Sequence, residues 1–550
     1  MAARRSALAV DFVSPLPPVR SGIADYSVDL LEELAPLCDL RLVRLPGQEV
    51  ASEVLDRYEV IDAGGVDPAR RLPFYQMGNN VYHEGVRRLA LESPGVVTVH
   101  DLRLHHLLVE STLASGDLDS YVSGLGDEHG WEGAAAALSI RWGGHGRARL
   151  FEMPAHRSLL LRQRGLLIHS NWGLRFLEEE LGQERELGLR AEGRLPPMRR
   201  VPMPMPAPAL PEPEQAAIFR RRAGVPRSAV LIGSFGFQTP IKRTDVLLRI
   251  LAEPGMEQVY ALIVGDVAQE LDLGALAREL GVQDRVTMTG FLEPAAFPTA
   301  ISACDLCLNL RYPSAGETSA SLLRILALGR AAVVSDYAQF VELPDDIVIK
   351  APLKDDPGAE AGALAGLLRD LLAAPDRLAG MGAAARAFIE REHQPASAAR
   401  AVFEALDEWS RLPAAKPPAP RPPRPPAPTS LTWGWLPGRI DVEGCDPPWP
   451  DGERRSIELV VANTGFATWL SGRNQDGGVV LEPQLWSGGR DLFRGRPWIP
   501  LPRDLPPGDA CRIPLKIRRP IGRARLRFEP HLFGGGSMTL CGAVALDREL

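Results

Sequence analysis

The chain has 550 residues, of which 45% are hydrophobic and 24% are charged, and its formal net charge is -7. This composition excludes a small disulfide-stapled scaffold and a wholly disordered chain, and it predicts several globular packing units. The excess of acids over bases gives no overall electrostatic case for nucleic acid as a partner. Six cysteines spread along the chain fit a reducing compartment, so we expect a cytoplasmic protein.

Short β-branched runs alternate with helical patterns through about the first 400 residues. In chain order, strands are predicted at 7–13, 96–100, 166–169, 230–234, 260–264, 286–289, 306–310 and 332–335. Helices are predicted between them at 26–34, 102–113, 174–181, 246–251, 271–280 and 322–328. Apolar strands separated by helices indicate parallel sheets with crossover connections, so the expected fold class is α/β.

Two proline-rich stretches, 201–213 and 412–430, divide the chain. Such stretches favour extended, semi-rigid backbone and cannot support a packed core. After the second stretch, short alternating segments bounded by turn residues predict an antiparallel β-sandwich. We therefore predict an α/β domain at 1–200, a second α/β domain at 201–395, a helix at 396–411, a linker at 412–430 and a sandwich at 431–550.

Ligands of α/β folds bind in the loops after the strands. Gly22 precedes a helix and would let a ligand approach its amino end, or it only forms a tight turn. His100 ends a predicted strand, where it could donate to a bound hydroxyl or shuttle a proton, and Asp101 could cap the next helix. His105 and His106 lack the i, i+4 spacing of a helical zinc pair, so we predict no metal. The absence of Gly-x-Gly-x-x-Gly after the first strand counts against NAD or FAD.

Two loops of the second half carry the densest set of polar residues. Lys242 is one of only five lysines in the chain, and with Arg243 it could neutralise a diphosphate or form a solvated basic turn. Arg311 precedes small residues at a helix start, where backbone N–H groups stay open to an anion. Glu317 is better matched to sugar or ribose hydroxyls, unless it only complements the helix dipole.

In this order, the segments resemble the family 4 retaining glycosyltransferases of the GT-B fold over about the first 410 residues. The resemblance rests on PPVRSGIADY at 17–26, GNN at 78–80, YHE at 82–84, VHDL at 99–102, IHSNW at 168–172, the Lys242 loop, VTMTGF at 286–291 and GETSASLLRILALG at 316–329. It implies two facing Rossmann-like domains, with a nucleotide-sugar donor on the second and the acceptor mainly on the first. Residues 435–545 look like an Ig-like sandwich.

The resemblance also implies roles for individual residues. Catalytic roles fall to His100, Lys242 and Glu317, donor binding to Gly22, Gly236, Arg243, Arg311, Gly316, Thr318 and Ser319, and acceptor binding to Tyr26, Asn79 and Asp101. The chain departs from the family at Phe237, where an arginine is usual, and at Arg324, where the second glutamate of the donor helix is usual. Arg243 or Arg311 would then supply the second positive charge.

The implied activity is transfer of a hexose, with mannose as one candidate, from a nucleotide diphosphate sugar to a polysaccharide, glycan or lipid-linked acceptor. It needs no cofactor or metal. The two departures and the appended sandwich also fit a degenerate GT-B protein that acts as a glycan-binding or scaffolding subunit. The tryptophans of the sandwich could stack on sugar rings, although core packing is favoured.

Membrane contact is expected to be peripheral at most, because no apolar run reaches the ~18 residues that a spanning helix needs. Basic segments at 190–200 and 220–222 could hold the protein at the inner face of the membrane. Solvated basic faces are the simpler interpretation of both segments.

Overall fold

The computed structural model describes residues 8–138, 149–186, 195–354, 356–412, 429–430, 436–465, 467–472, 478–493, 497–532 and 537–550. The chain divides into two compact units. The first comprises 1–111 and 150–419, and the second comprises 112–149 and 420–550. Most of the predicted linker, 413–428, lies outside the described residues.

Parallel strands form the first sheet of the first unit. Its strands are β1 (Ala9–Val13), β2 (Asp39–Arg44), β3 (Val60–Asp62), β4 (Leu72–Met77), β5 (Val96–Val99), β6 (Gly165–Ile168) and β7 (Met198–Arg200). Their order is β3-β2-β1-β4-β5-β6-β7, and each neighbouring pair is parallel. The strand order reverses between β1 and β4, so the loops after these strands border a crevice where ligands bind in such sheets.

A second parallel sheet follows in the same unit. Its strands are β8 (Val230–Phe235), β9 (Val259–Val264), β10 (Val286–Met288), β11 (Leu306–Asn309), β12 (Ala332–Ser335) and β13 (Ile349–Ala351). Their order, β10-β9-β8-β11-β12-β13, again changes direction at the first strand of the half. These two sheets confirm the predicted pair of Rossmann-like halves.

Helices cover the parallel sheets because their apolar residues recur on one face. Through the described residues the helices are α1 (Gly22–Leu34), α2 (Ser52–Leu55), α3 (Glu84–Glu92), α4 (His105–Ser111), α5 (Leu118–Leu138), α6 (Arg149–Glu152), α7 (Arg157–Leu160), α8 (Asn171–Glu186), α9 (Pro213–Arg222), α10 (Thr244–Ala252), α11 (Leu273–Glu279), α12 (Phe297–Ser302), α13 (Ala320–Ala327), α14 (Pro357–Leu372), α15 (Pro375–Glu392) and α16 (Pro395–Trp409). Across the described ranges, no helix is both long and apolar enough to cross a membrane.

Helix α16 returns from the second half to the first. It packs against α1, and its last residue, Trp409, is buried over β6. A side chain at Gly165 would begin 2.1 Å from the Trp409 ring, so only glycine allows the indole this close. Trp409 belongs to the core, and Phe388 and Phe403 pack against it.

The second unit contains α5 and a β region. Its strands are β14 (Gly438–Glu443), β15 (Arg454–Asn463), β16 (Val479–Ser487), β17 (Arg490–Asp491), β18 (Ile499–Pro500), β19 (Ala510–Arg518), β20 (Ala524–Leu532), β21 (Ala543–Val544) and β22 (Leu546–Glu549). One sheet has the order β19-β15-β14-β21, and the other has β17-β16-β20-β22 with β18 beside β16. The predicted all-β region of antiparallel strands is confirmed, while its Ig-like character stays a prediction.

Candidate functional site

Lys242 lies folded over the loop that follows β8. Its Nζ donates to the Phe235 carbonyl at 2.9 Å. Gly236 has a φ of 89°, and a Cβ there would lie 2.6 Å from this Nζ, so glycine is required. Burial lowers the pKa of Lys242 well below its usual range; the nearby charge of Arg311 lowers it further, and Glu317 opposes the shift. A bound anion would reverse that shift by restoring the charge on the amine.

The start of α13 forms the wall beside this lysine. Ser319 caps the helix, its Oγ accepting from the Leu322 N–H at 3.2 Å. The hydroxyls of Ser319 and Ser321 also donate to Asn309 Oδ1 at 3.1 and 3.3 Å. The Ser321 Oγ lies 4.0 Å from the position a Cβ on Gly236 would take, so helix start and glycine loop are adjacent. Thr318, just before the cap, is partly buried.

Arg311 and Glu317 form a buried ion pair at the same place. Arg311 Nε lies 3.1 Å from Glu317 Oε1, and the Arg311 side chain is only 7% exposed. The second carboxylate oxygen of Glu317 accepts from Ser314 Oγ at 3.1 Å. Burial lowers the pKa of Arg311, and the carboxylate of Glu317 opposes that shift. The pair therefore holds the Glu317 carboxylate in one orientation beside Lys242.

His100, in the first half, lies in a buried cluster and does not face an open cleft. Its Nδ1 lies 3.2 Å from His169 Nε2, and His169 Nδ1 lies 2.8 Å from the Val201 carbonyl. Because a carbonyl only accepts, His169 Nδ1 must donate, and His100 Nδ1 then donates to His169 Nε2. His100 Nε2, an acceptor in this arrangement, lies 3.1 Å from the Gln76 side-chain amide, which donates to it when the amide is turned so that its nitrogen faces the ring. Both ring nitrogens are occupied, so the predicted proton shuttle through this ring does not fit the geometry.

Tyr26 belongs to the same cluster. Its ring packs edge-on to His100 with centroids 4.5 Å apart, and the residue is 5% exposed. Burial raises the pKa of Tyr26 strongly, since the phenolate would lose its hydration. The predicted acceptor contact through Tyr26 therefore does not fit, because almost none of the side chain reaches solvent.

Asp101 and Asn79 hold each other where β4 and β5 end. The Asn79 N–H donates to Asp101 Oδ2 at 2.8 Å, and Asn79 Oδ1 accepts from Leu107 N at 2.9 Å. Asn79, and not Asp101 as predicted, thus satisfies the first turn of α4. Burial raises the pKa of Asp101 to about 7, the charge of Glu317 adds to the shift, and the bond from Asn79 opposes it.

The two halves of the first unit meet beside these carboxyl groups. The N–H groups of Leu102 and Arg103 donate to the Ala315 carbonyl at 2.8 and 3.2 Å. Gly316 has a φ of 84°, and a Cβ there would lie 2.5 Å from Leu102 Cδ1. This close backbone contact brings Asp101 from the first half towards Glu317 from the second.

Gly22 borders open space, and Arg243 is held by a carboxylate of the second half. Gly22 is the first residue of α1, and no heavy atom lies within 4 Å of a Cβ placed on it, so the helix start borders open space. Arg243 has a φ of 52° and forms a buried ion pair with Glu360. It also donates to the Lys354 carbonyl at 3.1 Å. The predicted donor contact of Arg243 is therefore unsupported, because its guanidinium is turned towards Glu360 and the Lys354 carbonyl, whereas Arg311 lies near Lys242.

Comparisons with known proteins agree with this geometry. Residues 226–370 match the family model described as glycosyl transferases group 1. A glycosyltransferase from Rickettsia africae ESF-5 is 12% identical, covers 74% of this chain and 100% of its own, and superposes with a TM-score of 0.52. Sucrose-phosphate synthase from Thermosynechococcus elongatus is 16% identical, with coverages of 73% and 98% and a TM-score of 0.50. No curated protein matches by sequence. The fold is GT-B.

Two positions of this GT-B chain depart from the family pattern, and the structure shows what occupies them. The Phe237 side chain is 56% exposed on the loop before Lys242 and brings no charge. Arg324 on α13 lies 3.1 Å from Asp25 on α1, which joins the two halves through a half-exposed ion pair. Of the two arginines proposed to replace the missing charge, only Arg311 lies close enough to Lys242 to affect its pKa.

Several polar residues that support the site were not singled out from the sequence. Gln238 is fully buried, and its Nε2 donates to the Gly236 and Val264 carbonyls at 2.6 and 3.1 Å. Gln339 Nε2 donates to the Glu317 carbonyl at 2.6 Å. The sequence does carry a local signal for Gln238, because this glutamine lies in the glycine-containing loop just before Lys242. No such local signal marks Gln339.

Asp101 gives a prediction for the pH dependence of stability. Its pKa of about 7 in the folded chain exceeds its ordinary value of 3.8, so the folded state binds the extra proton between these values. The stability that this proton contributes is present in acid and is lost as the pH rises through about 7. Asp101→Asn stays neutral, so in urea unfolding the stability of the variant relative to that of the wild type should rise between about pH 5 and about pH 8. An identical pH dependence in both proteins would contradict this, since their buried histidines titrate alike.

A metal site needs several ligand atoms that lie close together. Among the residues that the structure describes, Glu482, Glu529 and His531 of the second unit are the group whose ligand atoms, all within 4.8 Å of one another, could hold an ion. His105 Nδ1 lies 2.8 Å from the Met153 carbonyl. A metal ion at the His105 and His106 segment therefore gains no support from the structure.

Proposed function

We propose that the protein is a retaining glycosyltransferase that moves a hexose from a nucleotide diphosphate sugar to a glycan or lipid-linked acceptor. The observation that carries this proposal is the convergence of Lys242, Arg311 and the capped start of α13 on one side of Glu317. Lys242 and Arg311 can neutralise a diphosphate, and the helix start adds N–H donors and a favourable dipole. All of these residues lie within the segment that matches the family model.

The proposed reaction uses the donor phosphate as its own base. The acceptor hydroxyl attacks the anomeric carbon from the face that the diphosphate leaves, the bond from that carbon to the phosphate oxygen breaks, and the hydroxyl proton moves to the departing phosphate oxygen. Lys242 and Arg311 stabilise the charge on that leaving group where other enzymes use a metal ion. Glu317 stabilises the positive charge that develops on the sugar ring.

The first half supports the acceptor side of the proposal. A cavity of about 570 Å³ is lined by residues from the loops after β1, β2 and β4, including Arg20, Gly47 and Tyr82. These loops lie at the carboxyl ends of parallel strands, where ligands of such sheets bind. Gly22 opens onto free space at the same edge, so an acceptor sugar can approach the start of α1.

A screen of nucleotides by thermal unfolding tests the proposal. We expect UDP, GDP or ADP, or one of their glucose or mannose conjugates, to raise the unfolding temperature by about 5 °C at 100 times its Kd. The same conjugate should then be consumed in the presence of a glycan or lipid-linked acceptor. Binding without turnover would favour the degenerate glycan-binding or scaffolding subunit, and the failure of every nucleotide to bind would reject both the donor site and the enzyme.

Cytoplasmic location and contact with the inner membrane face stay predictions. Of the basic segments, 220–222 is already partly engaged, since Arg220 Nη1 lies 2.9 Å from Asp305 and donates to the Ala303 carbonyl at 2.8 Å. Such a guanidinium has little left to offer an anionic lipid.

A further inference from the structure

The described tryptophans of the β region in the second unit fall into two classes. Trp449 and Trp469 are 4% and 0% exposed and belong to the core, which confirms the favoured prediction for these two. Trp486 and Trp498 are 43% and 39% exposed, so core packing does not explain them. Exposing a large apolar ring to water costs free energy, and a binding surface would account for this exposure.

Both exposed rings lie on the outer face of the sheet formed by β16 and β20. Along β16, Glu482, Gln484 and Trp486 point outward between buried neighbours, as the alternating burial shows. The register places Gln484 opposite Arg527 and Glu482 opposite Glu529. We call these residues, together with Trp498, the β16–β20 face.

The two indoles bound this face at opposite ends. Trp498 stacks on His531 of β20 with ring centroids 4.8 Å apart, and His531 is paired with Val480. Trp486 lies six positions along β16 from Val480, which corresponds to roughly 20 Å along a strand. The spacing suits an extended oligosaccharide, because a single sugar cannot reach both rings.

The polar groups between the indoles are paired with one another. Arg527 Nη2 lies 2.8 Å from Glu529 Oε2, and His531 Nε2 lies 3.1 Å from Glu482 Oε2. An apolar protein partner would bury these charges at a desolvation cost, and a polyanion would meet two directly opposed carboxylates. A neutral polyhydroxy chain can instead exchange hydrogen bonds with the same carboxylate, amide and guanidinium groups.

We propose that the β16–β20 face binds a neutral oligosaccharide chain, with Trp486 and Trp498 stacking on sugar rings and Gln484, Glu482 and Arg527 bonding to hydroxyls. Indole rings suit the C–H faces of sugars because the flat faces of the ring are apolar, while its N–H edge stays in contact with water. This site lies on a different unit from the proposed donor pocket. Glycan binding at this face can therefore be tested independently of the transferase activity.

Native gel electrophoresis of the full chain in gels cast with yeast mannan or dextran tests the proposal. We expect retardation by at least one of these neutral polysaccharides, and about tenfold weaker binding in Trp486→Ala and in Trp498→Ala. Ile521→Ala is the matched control, since Ile521 is 84% exposed in the same unit but outside the face. Trp498→Phe should recover part of the affinity by keeping a stacking ring.

Folding and donor binding are checked on the same samples. Each variant should keep the thermal unfolding profile and the nucleotide response of the wild type, so a failed donor site and a failed glycan site are separately visible. Trp486 is 43% exposed and the hydrogen bond from its indole to Gln484 is a long one of 3.5 Å, so its removal keeps the test valid if Trp498→Ala unfolds. The absence of retardation by both neutral polysaccharides, retardation only by dextran sulfate, equal retardation of both tryptophan variants and the wild type, or loss of binding with EDTA would each overturn the proposal.

Discussion

Replacing Lys242 with alanine is expected to lower kcat/KM for sugar transfer by about 100-fold or more, because it removes a positive charge aimed at the leaving diphosphate. The amine is partly buried over Gly236 and lies near Arg311, which is why its pKa is low without a ligand. The negative charge of a bound diphosphate would raise the pKa of the Lys242 amine. The amine would therefore take up a proton when the diphosphate binds. The affinity for nucleoside diphosphate should therefore fall along with the rate, as calorimetry can measure.

Lys350→Ala provides the matched control for this substitution. Lys350 bonds to the Val341 carbonyl at 3.0 Å and to Asp345 at 2.7 Å, so its charge is already used at the surface. Its removal should leave transfer and nucleotide affinity within about twofold of the wild type, as is usual for a surface ion pair. Equal nucleotide affinity in Lys242→Ala and the wild type would refute the donor pocket.

The fold was largely accessible from the sequence because strand periodicity is a local property. The strand 332–335 was predicted with both ends correct, and the strand at 96–100 was predicted one residue too long at its C-terminal end. The strand β2 was missed. Its residues Asp39–Arg44 alternate charged and apolar positions, whereas the strands were predicted from short β-branched runs. Arg41 of that strand bonds to buried Asp11 of β1 at 2.7 Å, a pairing that only the assembled sheet reveals.

The candidate site was accessible only in part, because contacts between distant residues decide which charges stay free. Arg243 stands next to Lys242 in sequence, yet its left-handed backbone turns it towards Glu360, which is 117 residues away. His100 directly follows its strand, which ends at Val99, and His169 and Gln76 occupy its ring. Local patterns therefore located the loops, while the partners of each side chain required the three-dimensional structure.

Glu317→Gln is expected to destabilise the first unit by about 3 kcal/mol and to lower sugar transfer strongly. The substitution leaves the Arg311 guanidinium, 7% exposed, without a charge partner in a buried place, and an unpaired buried charge is far more costly than a lost surface pair. Glu390→Gln is the control, since Glu390 pairs with Arg386 at 2.8 Å on an exposed helix face and its loss should cost about 0.5 kcal/mol or less. Urea unfolding of the full chain measures both.

A double substitution separates the structural from the chemical role of Glu317. Arg311→Met combined with Glu317→Gln removes both buried charges, so stability should recover by at least half of what Glu317→Gln alone loses, as apolar replacements of buried ion pairs commonly allow. Transfer should not recover, because the pocket then lacks the positive charge for the diphosphate and the carboxylate beside the sugar ring. A double variant that regained both stability and transfer would show that the pair only holds the loop in place. In that case Lys242 and the start of α13 would have to bind the diphosphate without Arg311.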